Sequence, residues 1–107
     1  MNEIIHEAVN EIRSDQIRRI THYEVVMREA ARLLEAEDLS EVDAAELRDL
    51  IGQLAAYYES AEWKQDYSDD EAGLLPEDLP RGVLSEDGIF DLLEEYREFI
   101  TGAEDEE

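Results

Sequence analysis

Apolar residues recur at helical spacing through three long stretches of the chain, and no segment reads as a strand. Ile4, Ile5, Ala8, Val9 and Ile12 predict an amphipathic helix over residues 3–13. Ser14 and Asp15 interrupt it with N-cap chemistry. Beyond them Ile17, Ile20, Met27, Ala31 and Leu34 form one stripe, with Arg18, Arg19, Arg28 and Arg32 mostly off it. The stripe loses register across residues 14–15, which favours a fresh helix start there over one bent helix from 3 to 38. Residues 1–14 are accordingly read as a helical N-terminal extension, residues 15–101 as a single domain and residues 102–107 as a disordered acidic tail.

The second helix is predicted to begin after Ser40, with Asp43 three residues on, a weak variant of the capping box. Leu47, Leu50, Ile51, Leu54 and Tyr58 make its apolar face, and Gly52 is a mild blemish inside it. So short a connection sets the first two helices antiparallel. The last helix opens at Ser85, where Glu86 and Asp87 suit the positive end of the helix dipole. Its stripe is Ile89, Leu92, Leu93, Tyr96 and Ile100, with Gly102 as the natural stop.

Between these helices the spacing changes. Trp63 and Tyr67 lie four apart in a segment with room for one or two helical turns before Asp69-Asp70-Glu71-Ala72-Gly73, an acidic run closed by a glycine. Leu74 to Leu84 then carries both prolines, Pro76 and Pro80, together with Gly82 and several leucines. That composition predicts a strap packed against the helices rather than a solvated linker. The expected architecture is therefore all-α: an antiparallel helical hairpin, a Leu/Pro/Gly-rich strap and a third C-terminal helix completing a three-helix bundle, with the N-terminal extension as a candidate fourth helix.

Charge changes the picture more than length does. The 107 residues hold 31 acids against 9 bases, a formal charge of -22. Residues 1–56 carry 13 acids and 6 bases, whereas residues 57–107 carry 18 and 3. Such a field repels nucleic-acid phosphate and anionic membrane surfaces and favours cations or basic proteins. An apolar content of 43%, periodically arranged, argues for a folded chain despite the charge. The absence of cysteine excludes disulfides, thiolate metal sites and a cysteine nucleophile. No signal-peptide pattern opens the chain and no apolar run approaches the ~18 residues of a membrane span, so a cytoplasmic protein is expected.

Candidate chemistry is confined to a few places. Asp66, Asp69, Asp70 and Glu71 are oxygen ligands of the type hard divalent cations take, but their spacing is not that of an EF-hand loop, and a solvated acidic loop is the plainer reading. Asp87 and Asp91, four apart and next to Glu86, could present paired carboxylates; service to the helix dipole and pairing with Arg81 compete with that role. His6 and His22 have no paired metal spacing. Gly73, Gly82 and Gly88 lack the lysine of a phosphate loop. Trp63 with Tyr57, Tyr58 and Tyr67 is either an exposed recognition patch or core, and a lone tryptophan beside leucines favours core.

Two blocks carry a family resemblance: Gln16-Ile17-Arg18-Arg19-Ile20-Thr21-His22-Tyr23-Glu24, and the run from Tyr57 to Leu93 that holds Trp63, Asp70-Glu71-Ala72-Gly73, Leu75-Pro76, Arg81-Gly82-Val83-Leu84-Ser85 and Asp91-Leu92-Leu93. In this order they resemble the DUF4298 pattern over roughly residues 15–100. The resemblance implies a small helical bacterial protein and brings no catalytic residues and no cofactor with it. Function is expected to be a non-catalytic interaction with a basic protein surface. The alternatives are a nucleic-acid mimic that occupies a DNA-binding protein, and a divalent-cation protein or enzyme using residues 66–71. A homo-oligomer is compatible with any of these.

Overall fold

The computed structural model describes the backbone of residues 2–36, 38–85 and 87–105, and the side chains of residues 14–36, 38–85 and 87–101. Every regular element among them is helical: α1 (Asn2–Glu35), α2 (Glu41–Tyr58), α3 (Ala61–Glu71), a 3-10 turn (Gly82–Leu84) and α4 (Gly88–Asp105). The all-α architecture expected from the stripes is therefore present. The antiparallel pair α1 and α2 is joined by residues 36–40, and α4 packs on both.

Several boundaries differ from expectation. α1 runs without a break through Ser14 and Asp15. Both are exposed, and Asp15 accepts from Arg18 Nη1 at 3.2 Å along the helix surface. A cap-forming residue whose side chain faces water and a partner one turn on does not compete with the helical backbone. The fourth helix is thus not a separate N-terminal one; it is α3, three turns long where one or two were expected. At the other end, α4 continues through Gly102 to Asp105, so residues 102–105 are helical rather than a disordered tail. Residues 106 and 107 lie outside the described residues.

The caps follow the sequence. Ser40 Oγ accepts from Asp43 N at 3.0 Å and opens α2. Ser60 does the same for α3, accepting from Trp63 N at 3.1 Å while donating to Tyr57 O at 2.6 Å, which fastens the end of α2 to the start of α3. α3 ends in a Schellman arrangement: Leu74 N donates to Asp69 O and Gly73 N to Asp70 O, both at 3.0 Å, with Gly73 at φ 74. Ser85 Oγ accepts from Gly88 N at 2.9 Å, but Asp87 O takes the first helical bond of α4 from Asp91 N at 2.8 Å, so α4 starts at Gly88 rather than directly after Ser85 as the sequence predicts.

Ile20, Val26, Ala30 and Leu33 of α1 meet Leu47, Ile51, Leu54 and Tyr57 of α2 and Ile89 and Leu92 of α4 in one core. Met27, Ala31 and Leu34, which define the α1 stripe in the sequence, are half-buried flanks one position away from its deepest line. Leu75, Leu79, Val83 and Leu84 close the core from the strap, as their composition predicts, while Leu74 stays exposed. Ile100, assigned to the α4 stripe, is exposed.

Two glycines respond oppositely to a methyl group. A Cβ on Gly88 would lie 2.4 Å from the backbone oxygen of Gly82, so the strap cannot return to α4 this closely with any larger residue. Gly88→Ala is expected to destabilise the fold by about 1–3 kcal/mol. A Cβ on Gly52 meets nothing within 4 Å, and Gly52→Ala is expected to stabilise by up to ~1 kcal/mol through helix propensity alone. Urea titrations followed by circular dichroism check both signs, and a stabilised Gly88→Ala protein contradicts the close approach.

Candidate functional site

The most concentrated chemistry lies where α1, α2 and α3 meet. Gln16 and Arg19 sit one turn apart on α1, Tyr57 lies in the last turn of α2, and Asp66 stands in the middle of α3. Asp66 is 0% exposed. Its Oδ2 accepts from Arg19 Nε at 2.9 Å and from Tyr57 Oη at 2.6 Å. Its Oδ1 accepts from Arg19 Nη2 and from Gln16 Nε2 at 3.0 Å. Each carboxylate oxygen thus has two donors, filling the lone-pair positions available to it. The two-pronged guanidinium contact is the strong form of the carboxylate pair. Arg19 keeps a 24% exposed side chain and reaches outward to Glu62 at 3.4 Å. The Asp66 hydrogen bond, acting against burial, raises the Arg19 guanidinium pKa further above its ordinary range.

Burial, then the hydrogen bond to Asp66, pushes the Tyr57 phenol pKa well above its ordinary range. Its ring lies flat on Tyr23, with centroids 4.0 Å apart and planes 4° from parallel. The sign of the consequence follows from proton counts. Above pH ~10 an unfolded Tyr57 loses its proton while the folded one keeps it, so the native state binds more protons and stability falls as pH rises. Tyr57→Phe is expected to lose about 1.5–3 kcal/mol at neutral pH. It should also soften the alkaline decline in unfolding free energy measured between pH 9 and 11; an unchanged slope would mean that the phenol is not the responsible group.

A second buried carboxylate ties the strap to α1. Glu24 Oε1 accepts from Val83 N at 3.1 Å, and Glu24 Oε2 pairs with Arg28 at 3.2 Å. On its other side Val83 O accepts from Trp63 Nε1 at 2.8 Å. The two sequence blocks read above, Gln16–Glu24 and Tyr57–Leu93, are therefore the two halves of one contact region.

The sequence-derived candidates fall into place around this region. Asp66 to Glu71 is not a loop but the last two turns of α3. Asp66 is saturated as described, Asp69 accepts from Gln16 and Gln65 at 2.8 Å each, Asp70 pairs with Arg81 at 2.6 Å, and Glu71 is exposed. Among the described residues no three His, Asp or Glu side chains are grouped as a metal ion would require. Arg81 does not turn to Asp87; besides Asp70 it donates to the Leu79 and Pro76 carbonyls and braces the strap. Asp87 and Asp91 are exposed at the start of α4, and Glu86 and the side chain of His6 lie outside the described residues. Trp63 is half-buried, stacked with Tyr67 and edge-on to Tyr58, rather than fully enclosed.

Gln16, Arg19 and Glu24 did not emerge from the sequence as site residues, and Tyr57 emerged only as a member of the aromatic group around Trp63. One signal was present: Asp66, between Trp63 and Tyr67, lies on the helix face that must pack, and a carboxylate there requires a cation brought by another helix. The periodicity of α1 placed Arg19 off the stripe, whereas the structure turns it inward toward α3.

These elements define a small all-α bundle whose polar contacts are centred on a buried, arginine-paired aspartate. The chain belongs to the DUF4298 family, a domain of unknown function, whose model matches residues 20–103. No curated protein and no solved structure matches the chain. The matched segment contains Glu24, Tyr57, Trp63, Asp66 and Arg81, and begins one residue after Arg19. No helix among the described residues is long and apolar enough to cross a membrane.

Proposed function

We propose that this protein is a non-catalytic cytoplasmic interaction module that presents an acidic surface to a basic partner protein. The observation that carries the reading is how the few cations are spent. Arg18, Arg19, Arg28, Arg32, Arg81 and Arg97 are each in an ion pair within the chain. With 31 acids against 9 bases, the excess negative charge has no source of neutralisation in the molecule itself. A basic surface is what such a field attracts, and attraction of this kind accelerates encounter and weakens with salt. The inward carboxylates support the same reading, since Asp66 spends all four acceptor positions on the fold and keeps none for a substrate proton or a metal.

Affinity capture from the native host, with mass spectrometry and rebinding of each purified candidate at low and moderate salt, tests this. The expected partner has a basic surface and an affinity that falls as salt rises. Partners without salt dependence, or none at all, overturn the reading. A captured DNA-binding protein displaced by DNA from the same face would favour the nucleic-acid mimic instead.

A further inference from the structure

Resting on the acidic-module reading, a more local statement concerns the far end of α4. Tyr96, Phe99 and Ile100 form one wall of an open groove of about 420 Å³, and Ala44 and Ala45 of α2 form the other. Phe99 is 41% exposed and Ile100 39%. On its other side Phe99 also borders a cleft of about 430 Å³ against Ala31 and Leu34 of α1. One phenylalanine ring therefore stands as a ridge between an apolar furrow and a second furrow half lined by glutamates, and the alanines keep the facing wall of each low. What sets these side chains apart from the singly exposed Val25 and Val42 is that Tyr96, Phe99 and Ile100 line one contiguous groove, and contiguous apolar surface on a charged protein is where partners dock.

The rim says what kind of occupant fits. Glu41 lines the first furrow, Glu35, Glu95 and Glu98 the second, and Arg48 is the single base among the lining residues of the two. We infer that this double furrow receives a basic amphipathic helix of a partner protein. Its apolar face lies along Phe99, Ile100 and Ala44, and its lysines and arginines reach Glu41, Glu95 and Glu98. A second copy of the chain is a poor occupant, because two chains of net charge -22 each would have to meet across acidic rims.

The test uses the full chain and a synthetic Leu/Lys peptide of about five helical turns with its leucines on one face, followed by fluorescence anisotropy at low salt. A Leu/Glu peptide of the same pattern is the charge control. The Leu/Lys peptide is expected to bind and the Leu/Glu peptide not to. Phe99→Ser, and the triple Glu41→Gln/Glu95→Gln/Glu98→Gln, should each weaken binding about tenfold or more. The triple Glu71→Gln/Glu77→Gln/Asp78→Asn, an equal loss of charge on α3 and the strap, should weaken it less than about threefold. Melting curves confirm folding, and Ile100→Ser replaces Phe99→Ser if the latter fails to fold. Equal losses in the two triples with no effect of the apolar variant overturn the groove but leave the acidic-module reading standing. Failure of the basic peptide to bind at all overturns both. A concentration-dependent dimer abolished by Phe99→Ser overturns the proposal in favour of self-association.

Discussion

An Asp66→Ala chain is expected to lose about 3–5 kcal/mol of folding stability. The substitution removes one small side chain but leaves the Arg19 guanidinium, the Gln16 amide and the Tyr57 hydroxyl, all built around it, without their common acceptor. Domains of this size carry about 5–15 kcal/mol in total, so the loss is a large fraction of what holds the chain folded. Arg19→Ala should be comparably damaging, because it leaves Asp66, 0% exposed, as a buried charge with neutral donors only. If the two act as a pair, the double variant loses clearly less than the sum of the single losses. Asp66→Asn keeps the shape and removes the charge, and provides a folded intermediate case if the alanine variants do not fold. Urea titrations of the four proteins measure this. A change below about 1 kcal/mol for Asp66→Ala would mean that the cluster is solvated in solution and contributes little.

The helices and the strap were legible in the sequence, and the cluster at their junction was not. Ser40 and the Leu47–Ile51–Leu54 spacing define α2 within a residue at its start, because caps and apolar periodicity are local. The strap was legible because leucines between prolines have nowhere to go but a core. Asp66 misled for a physical reason: within an acidic run it looks like its neighbours, and what sets it apart is a guanidinium 47 residues earlier in the chain. Glu24 is a sharper case, since its main partner is a backbone N–H 59 residues away and carries no side-chain signature at all. The same applies to α3, where Trp63 and Tyr67 four apart before the acidic run left room for one or two turns. It is held as a three-turn helix by Ser60 at its start, the Gly73 turn at its end and polar bonds along its inner face. Periodicity detects helices that bury oil, not one that buries a carboxylate.

Trp63→Ala is expected to be the second large loss, about 3–5 kcal/mol and nearer the lower figure because the ring is half-buried rather than enclosed. Three contributions leave together: the stack on Tyr67 at 5.2 Å, the edge contact with Tyr58 at 4.8 Å and the indole bond to Val83 O at 2.8 Å. Val83 and Leu84 are 0% and 2% exposed, so releasing that carbonyl loosens two core residues as well as the strap. Trp63→Phe keeps much of the ring packing and deletes the bond, and should lose about 1 kcal/mol. Arg81→Ala, which breaks the more exposed Asp70 tie to the same strap, should also lose about 1 kcal/mol. The ordering Trp63→Ala well above Trp63→Phe and Arg81→Ala distinguishes a structural anchor from a recognition patch. A patch residue could be truncated with no shift in the urea midpoint, and its loss would appear only when the partner was added.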